Sequence, residues 1–302
     1  MTAAEIAAAC GSARRSGHWW RCVCPVHGSR SGRGLSLALR DGDRGLVVHC
    51  HAGCDARDIF AEVRRRGLIG GGAGDAVRPA SAAARNEDRA DTVRRIALAQ
   101  RIWTAAKDAR GTPIERYLAG RGIMLPVPPS LRWAPRCWNR EALADLPAMV
   151  ACVEHVGRGF VGCHRTYLTA DHHRRDRASL GPIGGGAVRL ATMRPDDWLV
   201  IGEGIETVLS VMHCTGLPGW AALSAGGVEQ LVLPLAARLV LIVADHDANG
   251  TGERAARLAA ERWVCEGRRV KIAMSPEPGT DLNNVLLGLA HARITKAHDV
   301  AA

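Results

Sequence analysis

The chain has 302 residues, ten cysteines and a formal net charge of +10, which allows two or three small domains. It contains no apolar run of membrane length and its start lacks a basic signal-peptide region, so we expect a cytoplasmic protein without a membrane partner. Cysteines there are more often reduced or metal-bound than paired in disulfides. The positive charge fits a nucleic-acid partner, but arginine-rich composition from genomic base bias explains it equally well.

Residues 1–69 carry two pairs of metal-ligating side chains on either side of a predicted β-hairpin. Leucines alternate with small or polar residues at 35–39, a turn follows at 41–45, and an apolar return follows at 46–48. Zn²⁺ prefers four nitrogen or sulfur ligands in a tetrahedron. The spacing therefore predicts a structural zinc ribbon whose ligands are Cys24, His27, Cys50 and Cys54. Three rival ligands remain open, which are Cys22, His49 and His51.

This stretch also resembles the zinc-binding domain at the N-terminus of bacterial and phage primases. Its CPVH sequence matches the first ligand pair of that family, whereas CHAGC has one residue more than the common second pair. The resemblance implies a domain that contacts template DNA. Arg30, Arg33 and Arg40 are candidates for phosphate contacts, although solvated loop positions explain them as well.

The next segments are a linker, at 70–91, and a middle subdomain, at 92–195. Glycine and alanine dominate the first of these, which predicts a flexible linker. Helical patterns follow at 92–109 and 113–122. From Pro147 the pattern becomes β, with two short runs and a third at 187–190, which makes this an α+β subdomain.

The order YLAGRGI, PAMV, GFVGCHRTYL and SLGPIGGGAVRL is similar to the subdomain that precedes the catalytic domain of primases. That resemblance implies basic residues that guide template and triphosphate. Arg165 and Arg177 are our candidates for this role, with a solvated basic rim as the alternative interpretation.

Residues 196–290 place acidic side chains where predicted buried strands end. The strands are Val- and Ile-rich and alternate with helical patterns, which predicts a parallel α/β sheet with ligands at its carboxyl edge. Carboxylates that converge there stay ionised only around a cation, and oxygen ligands suit Mg²⁺ or Mn²⁺. The predicted catalytic acids are Glu203, Asp245, Asp247 and Asp281, with the first three as the metal ligands. The sequence leaves open whether Glu206 joins them or is solvated. Residues 291–302 are expected to be a frayed tail.

The sequences GEGIET, ADHDANG and TDLNN resemble the Toprim domain of primases, topoisomerases and related nucleases. That family binds Mg²⁺ through a Glu after its first strand and an Asp-x-Asp after its third, which implies Glu203, Asp245 and Asp247 here. Asp281 matches a third acidic element of primases, and Asn283 stands where a second Asp is common.

The sequence thus predicts a multidomain α/β and α+β protein with a zinc ribbon, a middle subdomain and a C-terminal Toprim sheet. The resemblance implies a primase that makes short RNA primers on single-stranded DNA from ribonucleoside triphosphates, using structural Zn²⁺ and catalytic Mg²⁺ or Mn²⁺. The chain has no Walker A motif, so a replicative helicase would be a separate partner. Alternatives are a Toprim-type nuclease, or an inactive DNA-binding replication accessory of a mobile element.

Overall fold

The computed structural model describes residues 1–16, 19–28, 34–42, 45–50, 54–69, 82–194, 196–246, 250–275, 279, 282–287 and 298–299. The chain divides into two compact units, Met1–Asp91 and Thr92–Ala302. Among the described helices, none is both long and apolar enough to cross a membrane.

The first unit contains a four-stranded antiparallel sheet flanked by two helices. Its strands are β1 (Arg14–Ser16), β2 (Trp19–Cys22), β3 (Leu37–Gly42) and β4 (Gly45–Cys50), and its helices are α1 (Ala3–Cys10) and α2 (Ala56–Arg65). Helix α1 begins at a capping box between Thr2 and Glu5, and the Asp55 side chain caps α2. The predicted hairpin is confirmed as β3 and β4, and Leu37, Leu39 and Ile59 lie in the shared core.

The second unit begins with an antiparallel sheet in the order β5-β6-β7-β8-β9. Its strands are β5 (Lys107–Asp108), β6 (Leu131–Asn139), β7 (Ala144–His155), β8 (Gly159–Leu168) and β9 (Arg174–Leu180). Helix α4 (Pro113–Gly120) packs on one face of this sheet, against Met149 and Ala151. The other face packs against α3 (Ala82–Ala105), where Val150 and Tyr167 lie in the core with Ala99.

A second, mostly parallel sheet follows in the order β10-β12-β11-β13-β14-β15. Its strands are β10 (Val188–Arg189), β11 (Trp198–Gly202), β12 (Gly219–Ala221), β13 (Leu239–Ala244), β14 (Arg269–Met274) and β15 (His298–Asp299). The four strands β11 to β14 are parallel, and the two outer strands are antiparallel to their neighbours. Its helices are α5 (Ile205–Thr215), α6 (Ala225–Gln230), α7 (Thr251–Cys265) and α8 (Leu282–Leu287).

The structure departs from two details of the sequence prediction. Helix α3 begins at Ala82, inside the predicted linker, because the alanines and charged residues from 82 onward favour helix. The third β run joins the middle sheet only at Ala187, which bridges Glu154 of β7. Val188 and Arg189 pair with β12 in the parallel sheet instead. Helix α6 starts at Ala225, where the Ser224 side chain caps it by accepting a hydrogen bond from the Gly227 amide.

Candidate functional site

Four side chains of the first unit converge into a group that could hold a metal ion. The ligand atoms of Cys24, His27, Cys50 and Cys54 all lie within 4.8 Å of one another. His27 Nε2 is 3.4 Å from Cys50 Sγ. Three sulfur donors and one nitrogen donor at such separations suit tetrahedral Zn²⁺, so the donor set fits the predicted ion.

Local backbone geometry places these ligands. Gly28 adopts a φ of +68° and its amide donates to the Cys24 carbonyl at 2.8 Å, which turns the chain back after His27. Cys50 is the last residue of β4, and Cys54 precedes the cap of α2. Burial and the neighbouring thiols raise the pKa of Cys54 to about 12, because thiolates this close repel one another. A bound cation removes that repulsion.

The rival ligands do not join this group among the described residues. Cys22 is buried and shares a hydrogen bond with the thiol of Cys10. His49 is exposed on β4. His51 lies outside the described residues, as do two of the candidate phosphate contacts, Arg30 and Arg33.

Two of the predicted acids lie at the same edge of the parallel sheet. Glu203 directly follows β11 and Asp245 directly follows β13, and these two strands are neighbours with Gly202 opposite Val243. Both side chains are half-buried. Oxygen donors at the carboxyl edge of parallel strands fit Mg²⁺ or Mn²⁺. Asp247 and Asp281 lie outside the described residues.

A glycine in the following turn brings the next helix close to this edge. A Cβ atom on Gly252, in the first turn of α7, would lie 2.4 Å from the carbonyl oxygen of Asp245. Any larger residue would therefore push the helix away from the acid. His246 faces the neighbouring strand end, where its Nδ1 is 2.9 Å from the Ser275 carbonyl oxygen.

Glu206, which the sequence left open, is buried. It is 6% exposed, and the hydroxyl of Tyr117 on α4 donates a hydrogen bond to its Oε1. Burial, and then the charge of Glu206, raise the pKa of Tyr117 above its ordinary value. The contact joins positions 89 residues apart, so no local pattern could have predicted it.

Asn283 is fully buried in α8. Its amide nitrogen donates to the Arg121 carbonyl and to the Ser210 hydroxyl, each at 2.8 Å. An aspartate could not donate either hydrogen bond. The amide thus has a packing role that explains why asparagine occupies this position.

The two candidate arginines lie on opposite faces of the middle sheet. Arg177 pairs with Thr166, and Arg165 pairs with Ala178, so their side chains alternate in direction. Arg177 is exposed on the face that packs against α4 and α5, whereas half-buried Arg165 lies on the α3 face, over the ring of Tyr167. The phosphate contacts of both residues stay predictions, and one ligand lying on one face could meet only one of them. Arg177, which is the exposed one, is the better candidate of the two.

Sequence reasoning missed a polar group beside Glu206. His164 is 7% exposed, and its Nδ1 is 2.9 Å from the Ser179 hydroxyl. Burial lowers the pKa of His164 to about 4, although the charge of Glu206 raises it, and the charges of Arg177 and Arg174 add to the lowering. The alternation of side chains along β8 could have indicated this position, since it places His164 on the same face of the sheet as Thr166.

Comparison with known families identifies the domain that carries the acids. Residues 198–289 match the Toprim domain family, so this part of the chain is a Toprim domain and the predicted resemblance is confirmed. Residues 93–190 match a family described as a domain of unknown function (DUF7146). The comparison with curated proteins found no match.

Several solved primases are similar to the chain. A DNA primase domain from Pseudomonas aeruginosa is 16% identical, with 64% of this chain and 74% of that chain covered and a TM-score of 0.44. The zinc-binding and RNA polymerase domains of the Aquifex aeolicus primase are 13% identical, with 96% and 80% covered and a TM-score of 0.44.

Proposed function

We propose that this chain is a primase-type nucleotidyltransferase that makes short RNA primers on single-stranded DNA. The observation that supports it most is the position of Glu203 and Asp245 at one edge of adjacent parallel strands in a Toprim domain. A group that could hold zinc accompanies this domain in the same chain. A net charge of +10 suits a polyanionic template.

Glu203, Asp245 and Asp247 would hold Mg²⁺ or Mn²⁺, with Asp281 as a further acid of the site. When bound, the ion would stabilise the attacking and leaving oxygens of phosphoryl transfer. Glu203 and Asp245, each directly after a strand of the same sheet, would fix the position of that ion, and so the positions of the reacting oxygens. Exposed Arg177 would bind template or triphosphate phosphate groups on the face nearer the Toprim domain.

The Cys24, His27, Cys50 and Cys54 group would bind structural Zn²⁺ and hold the ribbon that contacts template. A separate helicase would supply unwound DNA, and a cytoplasmic location fits this work. Asn283 stands where primases commonly have a second Asp, which could suggest a lost active site. Both amide donors of Asn283 make buried hydrogen bonds, so its packing role explains the asparagine without a loss of activity.

The test is a reaction on single-stranded DNA with labelled ribonucleotides and Mg²⁺ or Mn²⁺. Template-dependent short RNA products that disappear in Glu203→Gln and Asp245→Asn would support the proposal. Metal-dependent shortening of the DNA, without new products, would indicate a nuclease instead. DNA binding without either reaction, even when unwound template and Mn²⁺ are supplied, would indicate the accessory role.

A further inference from the structure

Helix α4, in the DUF7146 region, contacts the two Toprim segments that directly follow predicted acids. The Tyr117 hydroxyl donates to Glu206, which is three residues after Glu203. At the end of α4, the Arg121 carbonyl accepts a hydrogen bond from Asn283, which is two residues after Asp281. One short helix is therefore bonded to the chain beside both acids.

The Tyr117–Glu206 hydrogen bond is buried, so its loss would be costly. Tyr117 is 4% exposed and Glu206 is 6% exposed. A carboxylate that loses its water needs hydrogen-bond donors in its place, and the phenol supplies one. Without the Tyr117 hydroxyl, Glu206 Oε1 would lose this hydrogen bond. The side chain of Glu206 would have to move to form another one.

Movement of Glu206 would be transmitted directly to the acid site. Glu206 Oε2 lies 3.8 Å from the point where a Cβ atom on Gly204 would stand, so the carboxylate packs against the residue that joins Glu203 to α5. Apolar contacts clamp the same region, since Ile114 and Leu118 of α4 share a core with Ile205 of α5. The position of Glu203 thus depends on where Glu206 is held.

We propose that Tyr117 is a positioning residue, which acts through Glu206 to hold Glu203 in place as a metal ligand. The inference rests on the proposed function, because it takes the Toprim acids as ligands of a divalent cation. It also assigns a role to the DUF7146 region: this region completes the metal site without contributing a ligand to it.

The chain contains a matched control, because its two tyrosines are both buried and both donate one hydrogen bond. The hydroxyl of Tyr167 donates to the Trp138 carbonyl at 2.7 Å, on the α3 face of the middle sheet. Tyr117→Phe and Tyr167→Phe each remove one oxygen atom and one hydrogen bond. A general loss of packing should affect them alike.

The experiment measures Mn²⁺ binding to the full, zinc-saturated chain by electron paramagnetic resonance, without nucleotide or DNA. We expect Tyr167→Phe to bind like the wild type and Tyr117→Phe to bind about 10-fold more weakly, as is typical when a group supporting a ligand is lost. Glu206→Gln retains an acceptor for the phenol and should bind more tightly than Glu206→Ala.

Equal Mn²⁺ affinity of the two tyrosine variants would overturn the inference, whether both were normal or both were weakened. A wild type that binds no Mn²⁺ at the acids would overturn both this inference and the metal site. A wild type that binds Mn²⁺ but makes no primers would contradict the proposed function alone, and the comparison of variants would still decide the role of Tyr117.

Discussion

Asn283 donates a hydrogen bond to the Ser210 hydroxyl across 2.8 Å, and both side chains are almost fully buried. The second amide hydrogen bond, to the Arg121 carbonyl, uses the other donor of the same nitrogen. We predict that Asn283→Asp lowers the free energy of unfolding by about 2 kcal/mol, because it places a carboxylate against a carbonyl oxygen. Urea denaturation measures this.

Ser210→Ala is the control for Asn283→Asp, because it removes one acceptor of the amide, together with the Ser210 donor to the Glu206 carbonyl, and leaves the Arg121 bond intact. Its loss of stability should be smaller. If Asn283→Asp were as stable as the wild type and bound Mn²⁺ more tightly, position 283 would be a metal-ligand position and its packing role secondary.

Zinc content tests the ribbon. We predict that atomic emission finds one Zn²⁺ per chain in the wild type and none in Cys50→Ser. The first unit of Cys50→Ser should also melt at a lower temperature, because the metal supplies stability that so small a core lacks. Cys214 is an exposed cysteine outside the group, so Cys214→Ser should retain the ion. Full zinc occupancy in Cys50→Ser would show that Cys50 is not a ligand.

Arg165→Ala and Arg177→Ala each remove one charge, but they should affect DNA binding and stability differently because the two residues lie on opposite faces of the middle sheet. For Arg177→Ala we expect weaker binding of single-stranded DNA and a salt dependence whose slope falls by about one phosphate contact. For Arg165→Ala we expect a loss of stability through lost packing on Tyr167, with the slope unchanged. Fluorescence anisotropy across a salt series measures both, and identical slopes for the two variants would contradict the assignment.

Buried His164 should make stability depend on pH. Burial holds the pKa of His164 at about 4 in the folded chain, below its ordinary 6.5. As the pH falls, the unfolded chain therefore takes up the proton before the folded chain does. Stability from this group is therefore complete above pH 6.5 and is lost as the pH falls towards 4, by up to about 3 kcal/mol. Urea denaturation at pH 5.0 and 7.5 should show this difference in the wild type and a smaller one in His164→Gln. His173 is exposed, and His173→Gln should behave like the wild type.

The parallel sheet and the ribbon could be predicted from the sequence because their signals are local. Unbroken Val- and Ile-rich runs identify β11 and β13, and close ligand pairs identify the group around Cys24. Strand β9, by contrast, reads as a basic loop. It is an edge strand whose exposed positions need no apolar residues, so Arg174–Leu180 lacks the usual alternation.

Contacts between distant segments could not be predicted. Tyr117 and Glu206 are brought together only by the packing of α4 on α5, and either residue alone is compatible with an ordinary helix. The opposite directions of Arg165 and Arg177 depend on the register of β8 and β9, which in turn depends on recognising β9 as a strand.

The initial rate of primer synthesis in Asp245→Asn, at saturating single-stranded DNA, decides whether the Toprim acids are catalytic. The substitution keeps the shape of the side chain and removes the charge that would hold the metal. We predict a rate at least about 100-fold below the wild type, as expected when a preorganised electrostatic group is lost. Glu253→Gln, a half-buried acid of the same domain paired with Arg257, should keep the wild-type rate. Primer synthesis by Asp245→Asn at the wild-type rate would show that Asp245 does not hold a catalytic metal.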